Sequence, residues 1–232
     1  MDVTPPGAQE PTSPDGPPGP ADAAVVDLLG VLAYGELTAF IRMAVDCDLA
    51  PTLALKASMG RLATVDFEHY TLIVDHMRVL GIDPEAAMAP FVAPIAAYHE
   101  RTRPKGWLEG LVKAYVGEGI AKDFYREMSA FVDVRTQEVM RTALEEDSQA
   151  DFVVQIVRDT IRTDPREAGR LALWGRRLLG EALSQAQAVA VERDAMSALL
   201  VGGGVDLGEV GRMFTRLTDK HAGRMQRMGL SA

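Results

Sequence analysis

The chain predicts an all-α fold: a four-helix bundle with a long crossover between its second and third helices, followed by two additional C-terminal helices. Three observations support this. Apolar residues recur with helical spacing through almost every segment after residue 22. Alternating β-branched runs closed by Asn-Gly or Asp-Gly turns are missing from the same stretch. The connections are unequal, with tight breaks near Pro51 and Asp133 but a long link from Gly81 to Gly106.

The first helix is expected from Asp22 to Asp46, with Leu29, Leu32, Glu36, Phe40 and Met43 on one face. The second runs from near Pro51 to Leu80, where Gly81 and Pro84 stop it. The link carries a short helix around Ile95 to Arg101. A third helix spans Trp107 to Phe131, and Asp133 caps a fourth that reaches Thr163. Pro165 opens a fifth to about Leu200, Gly202 to Gly204 form an interhelical hinge, and a sixth runs from Asp206 to Met228. The domain reading is a Pro/Gly-rich disordered arm over residues 1–21, a bundle over 22–164 and packed C-terminal helices over 165–232. Seven of the 13 prolines fall in the first twenty residues, where a packable core cannot form.

Composition excludes several classes. No basic residue precedes Arg42, so a signal-peptide n-region is missing, and no long uninterrupted apolar run suggests a membrane partner. Cys47 is the single cysteine, which rules out an internal disulfide and fits a reducing cytoplasm. The net charge of −9 argues against general nucleic-acid affinity, yet residues 166–232 carry a balance of +3, so a local basic surface is compatible with the acidic whole.

Two acidic half-motifs stand out: Glu36 with Asp66-x-x-His69, and Glu118 with Glu146-x-x-Gln149. Glu36 and Asp66 are equidistant from Pro51, as Glu118 and Glu146 are from Val132. With a rise of about 1.5 Å per residue, each pair faces across its hairpin about 20 Å from the turn. The i, i+3 pairs project from single helix faces and continue apolar stripes, so all six residues point inward. Four ionised carboxylates there would cost several kcal/mol each unless protons or cations neutralised them. One buried carboxylate is ordinarily a polar-network residue. The repetition at matching heights, on a Glu plus carboxylate-x-x-His template, points to a metal centre.

The stretches VVDLLGVLAYGELTAF, GIDPEAAMAPFVAPIAAYH, WLEGLVKAYVGEGIAKDFYREMSAFVD and RLALWGRRLLGEALSQAQ resemble the actinobacterial ferritin-like proteins grouped with the tRNA isopentenyladenosine hydroxylase MiaE. The resemblance spans residues 22 to 200. It implies a ferritin-like fold and a non-haem di-iron centre for oxygen-dependent oxidation or hydroxylation. Glu36, Asp66 and His69 would hold one iron, Glu118 and Glu146 the other, with Asp66 and Glu146 able to bridge. Asp66 stands where the motif has Glu, and Gln149 where it has His, so the count is one or two irons. The competing reading is a non-catalytic bundle for oligomerisation, as a dimer, or for partner binding.

Other polar residues have plainer expectations. Tyr115 and Tyr125 are redox neighbours or core residues with satisfied hydroxyls. His76 is expected to be partly exposed, and His99 and His221 lack ligand spacing. Glu181, Gln185 and Gln187 form a site, a contact or a solvated face. Arg212, Arg216, Lys220 and Arg224 make an i, i+4 stripe, with Arg227 nearby, that could meet tRNA phosphates but more simply suits solvent or the acidic bundle.

Overall fold

A computed structural model describes residues 20–130, 132–143, 150–192 and 207–232, and every regular element among them is helical. Helices α1 (Pro20–Asp46) and α2 (Leu53–Val79) form a hairpin across a single 3-10 turn at Cys47–Leu49. Thr52 caps α2, its hydroxyl accepting from the Leu55 N–H at 3.2 Å. At the far end Gly81 adopts φ +74°, with Ile82 N–H on the Met77 carbonyl at 2.9 Å and Gly81 N–H on that of Arg78 at 3.1 Å. That closing pattern needs a left-handed residue, which glycine supplies without strain.

The crossover is more helical than the sequence suggested. Asp83 caps α3 (Pro84–Met88), a 3-10 turn follows at Ala89–Phe91, and α4 (Val92–Arg101) completes the link. Pro84 and Pro94 fall in first turns, where a missing N–H breaks no helical bond, so they initiate helices here. Fully buried Phe91 and the Ala87 carbonyl press against α1 at Gly30.

Helices α5 (Trp107–Ser129), α6 (Val134–Ala143) and α7 (Ala150–Thr163) continue the bundle. Asp133 caps α6 as expected, accepting from the N–H groups of Arg135 and Thr136 at 3.0 and 3.1 Å. The sequence predicted one helix through Thr163; α6 and α7 are its described parts, and residues 144–149, including Glu146 and Gln149, lie outside the described residues. Helices α8 (Arg166–Glu192) and α9 (Leu207–Arg227) pack along α5. The predicted end of the fifth helix at Leu200 and the Gly202–Gly204 hinge also fall outside the described residues.

Specific polar contacts hold the added helices. The Trp174 indole N–H donates to the Glu109 carbonyl at 2.9 Å, and Arg170 pairs with the Glu109 carboxylate. The basic stripe meets an acidic face of α5: Arg216 lies 2.7 Å from Glu127, and Lys220 and Arg224 both pair with buried Asp123. Arg227 pairs with Asp151 at 2.7 Å. Of the surfaces weighed for the stripe, the acidic bundle is the one these three cations engage.

The core falls into two apolar clusters. One gathers Met43, Met59, Leu62, Val116 and Ile120 with residues from α7, α8 and α9. The other gathers Leu28, Leu32, Ile73, Met77, Tyr125 and Met128. On α1 and α2 the residues separating them include a carboxylate, Glu36 and Asp66, whereas Glu118 on α5 lies between Val116 and Ile120 of the first cluster. The stretch Ala23–Leu49 is long and apolar enough to cross a membrane. Its packing against α2, α3 and α5, with Glu36 buried, accounts for that apolarity as a core helix.

Two glycines in helices give a contrast. A Cβ on Gly30 would lie 2.2 Å from the Ala87 carbonyl oxygen, whereas one on Gly60 meets nothing within 4 Å. Gly30→Ala should therefore destabilise the chain by about 1–3 kcal/mol through overpacking. Gly60→Ala should stabilise it by up to about 1 kcal/mol through helix propensity. Urea denaturation of both variants checks the opposite signs.

Candidate metal centre

Adjacent turns of the α1–α2 hairpin bring Glu36, Asp66 and His69 together. Ligand atoms of all three lie within 4.8 Å of one another, and His69 Nδ1 is 3.5 Å from Glu36 Oε2. That separation is too long for a good hydrogen bond. Asp66 Oδ2 and His69 Nδ1 are both buried, with no hydrogen-bond partner among the described residues. The height matching expected from the turn is met for this half. Glu118 reaches the same layer from α5, half-buried, but its carboxylate is held by Lys122 Nζ at 2.7 Å.

The electrostatics are those of crowded acids in a dry place. Burial pushes the Glu36 carboxyl above its ordinary range, against the opposing pull of His69. Asp66, 2 % exposed, is pushed up to about 9, first by burial and then by the charges of Glu118 and Glu36. Without a cation, such groups hold protons that they would not keep in water. Two orphaned buried ligand atoms, two proton-retaining carboxyls and an imidazole make a donor set that fits a divalent first-row metal such as iron.

The centre opens onto a cavity of about 660 Å³, within the size range of small-molecule sites. Glu36, Asp66 and Glu118 form part of its wall, and most of the rest is apolar, from α1, α2, α4, α5, α8 and α9. Arg42, Asp46 and Lys113 add a second polar region. Lys113 Nζ donates to the Thr102 carbonyl at 2.8 Å, and burial lowers its pKa to about 8. His99, another wall residue, is lowered to about 3 by burial, so its imidazole is neutral.

The remaining candidates separate clearly. The Tyr125 hydroxyl donates to the Val31 carbonyl at 3.2 Å, the core reading with its hydroxyl satisfied, and Tyr115 is buried in the apolar cluster. His76 corrects the expectation of partial exposure: it is 6 % exposed, with Nε2 3.1 Å from Thr136 Oγ1 on α6. His221 is also buried, while Glu181 lies 3.6 Å from Arg101 on the crossover, and Gln185 and Gln187 line the cavity. Sequence reasoning missed Lys122. Its i, i+4 spacing from Glu118 placed it on the inward face, the one signal that could have found it.

The raised acid gives a pH dependence of defined sign. Asp66 holds its proton in the fold up to about pH 9, whereas its ordinary value is 3.8, so the folded state binds the extra proton between those limits. Its contribution is full at the acid end and is lost as pH rises toward 9. Chelator-treated protein should therefore lose urea resistance from pH 6 to 8.5, and Asp66→Asn should flatten that slope.

The same fold occurs in a solved structure titled "Protein 19 with aldehyde deformylating oxidase activity from Synechococcus", with a TM-score of 0.66 and 20% sequence identity over 92% of this chain and 95% of that one. At that identity the likeness shows the fold. No curated protein matches the sequence. The family model described as "Ferritin-like domain, actinomycetes" matches residues 20–203, and the chain belongs to that ferritin-like family of actinomycetes.

Proposed function

We propose that the chain is a non-haem iron protein that uses oxygen to oxidise an apolar substrate held in the cavity beside Glu36, Asp66 and His69. The observation that carries this reading is the juxtaposition itself: a carboxylate–histidine cluster whose Glu36 and Asp66 lie in the wall of a mostly apolar cavity of about 660 Å³. The structural neighbour supports it, since its title gives an aldehyde deformylating oxidase activity. Oxygen-dependent oxidation is also the reaction class implied by the MiaE resemblance.

Glu36, Asp66 and His69 would hold the iron, which supplies the one-electron oxygen chemistry that amino-acid side chains lack. The chain's own residues prepare the place. Glu36 and Asp66 give up retained protons when a cation arrives, so metal binding should tighten as pH rises. Apolar walls exclude water and orient a hydrocarbon substrate by shape, and the layer of Glu36, Asp66 and Glu118 marks where its reacting end must lie.

Anaerobic ferrous loading of the full chain tests the centre, and His69→Ala should weaken binding by more than about tenfold. Long-chain aldehyde is the first substrate probe, with consumption measured on admission of oxygen. Ala186→Phe, which fills the α8 wall away from the ligands, should suppress aldehyde consumption while leaving iron content unchanged. Failure of the native chain to retain iron would instead favour a helical bundle serving association or partner binding.

A further inference from the structure

Lys122 is a cation already built into the acidic layer. It projects from α5 one turn beyond Glu118, is 6 % exposed, and places Nζ 2.7 Å from Glu118 Oε1. Its charge also acts on Glu36 and Asp66. A buried ammonium costs several kcal/mol unless carboxylates compensate it closely. Here the compensation comes from the residue that a second metal ion would need. Glu118 is correspondingly outside the set whose ligand atoms converge, which consists of Glu36, Asp66 and His69.

Charge leads to the same arrangement. A second divalent ion beside Lys122 would have to compete with its ammonium for the Glu118 carboxylate. At the level of sequence, Gln149 offers that second position a neutral amide where an imidazole would bind more strongly.

We propose that Lys122 takes the place of the second metal ion, so that the native chain binds a single divalent ion at Glu36, Asp66 and His69. This rests on the metal-centre reading above. It makes the centre mononuclear by construction, with the ammonium serving as a fixed, redox-inert charge in its other half.

The test is titration of the full native chain with Mn(II), followed by metal analysis and electron paramagnetic resonance. One ion per chain with the spectrum of an isolated Mn(II) is the expected result. Lys122→Met should admit a second ion and produce the spectrum of an exchange-coupled pair. Lys122→Gln, which keeps a polar head, should do the same and guards against misfolding of the first variant. Two ions in the native chain would overturn the role of Lys122 while leaving the metal centre intact. A folded Lys122→Met or Lys122→Gln chain that still takes one ion would overturn it as well. No bound ion in the native chain would instead remove the metal-centre reading itself.

Discussion

A layer of charge runs through the middle of the bundle, and much of the structure around it is arranged to meet its cost. Glu36 and Asp66 interrupt α1 and α2 between the two apolar clusters, and Glu118 joins them in the cavity wall from α5. Removing carboxylates from water is unfavourable by several kcal/mol each unless a proton, ammonium or metal meets them. The raised pKa values of Glu36 and Asp66, the inward Lys122 and the orphaned Asp66 oxygen are different expressions of that cost. Helix register follows from it too, because the compensating groups work only if α1, α2 and α5 present them at the same height.

The C-terminal helices belong to this arrangement. Ala186 on α8 and Phe214 on α9 line the same cavity as Glu36, so these helices complete a chamber that the hairpin alone would leave open. Leu171 and Leu178 of α8 and Met225 of α9 pack into the first apolar cluster, and α9 is fastened further by Arg216 on Glu127 and Arg224 on Asp123. Asp123 and Lys122 are neighbours on α5 that serve different partners: one fastens α9, the other enters the acidic layer.

The first half of the site was legible in sequence because a short turn converts equal spacing into equal height. Glu36, Asp66 and His69 could be placed together from Pro51 alone. Lys122 was hidden by its type, since a lysine on a helix ordinarily lies in solvent and its inward position depends on Glu118 one turn away together with carboxylates from two other helices. His76 was misread for a similar reason: its partner Thr136 is sixty residues away, on a helix whose packing no local pattern reveals. In the crossover, Pro84 and Pro94 had two meanings, and only their place in first turns shows that they start helices. The second half of the motif, Glu146 and Gln149, lies outside the described residues.

The hairpin has a consequence for how the site comes into being. The three side chains that converge there, Glu36, Asp66 and His69, belong to two neighbouring helices joined by one tight turn, so the loop to be closed is short and its entropic cost small. Contacts of low sequence separation are the ones chains make early. The crossover, clamped onto α1 at Gly30, then holds the hairpin from its outer side. The carboxylate–histidine cluster is thereby a local product of folding, while the cavity beside it is a long-range one, closed only when α8 and α9 dock.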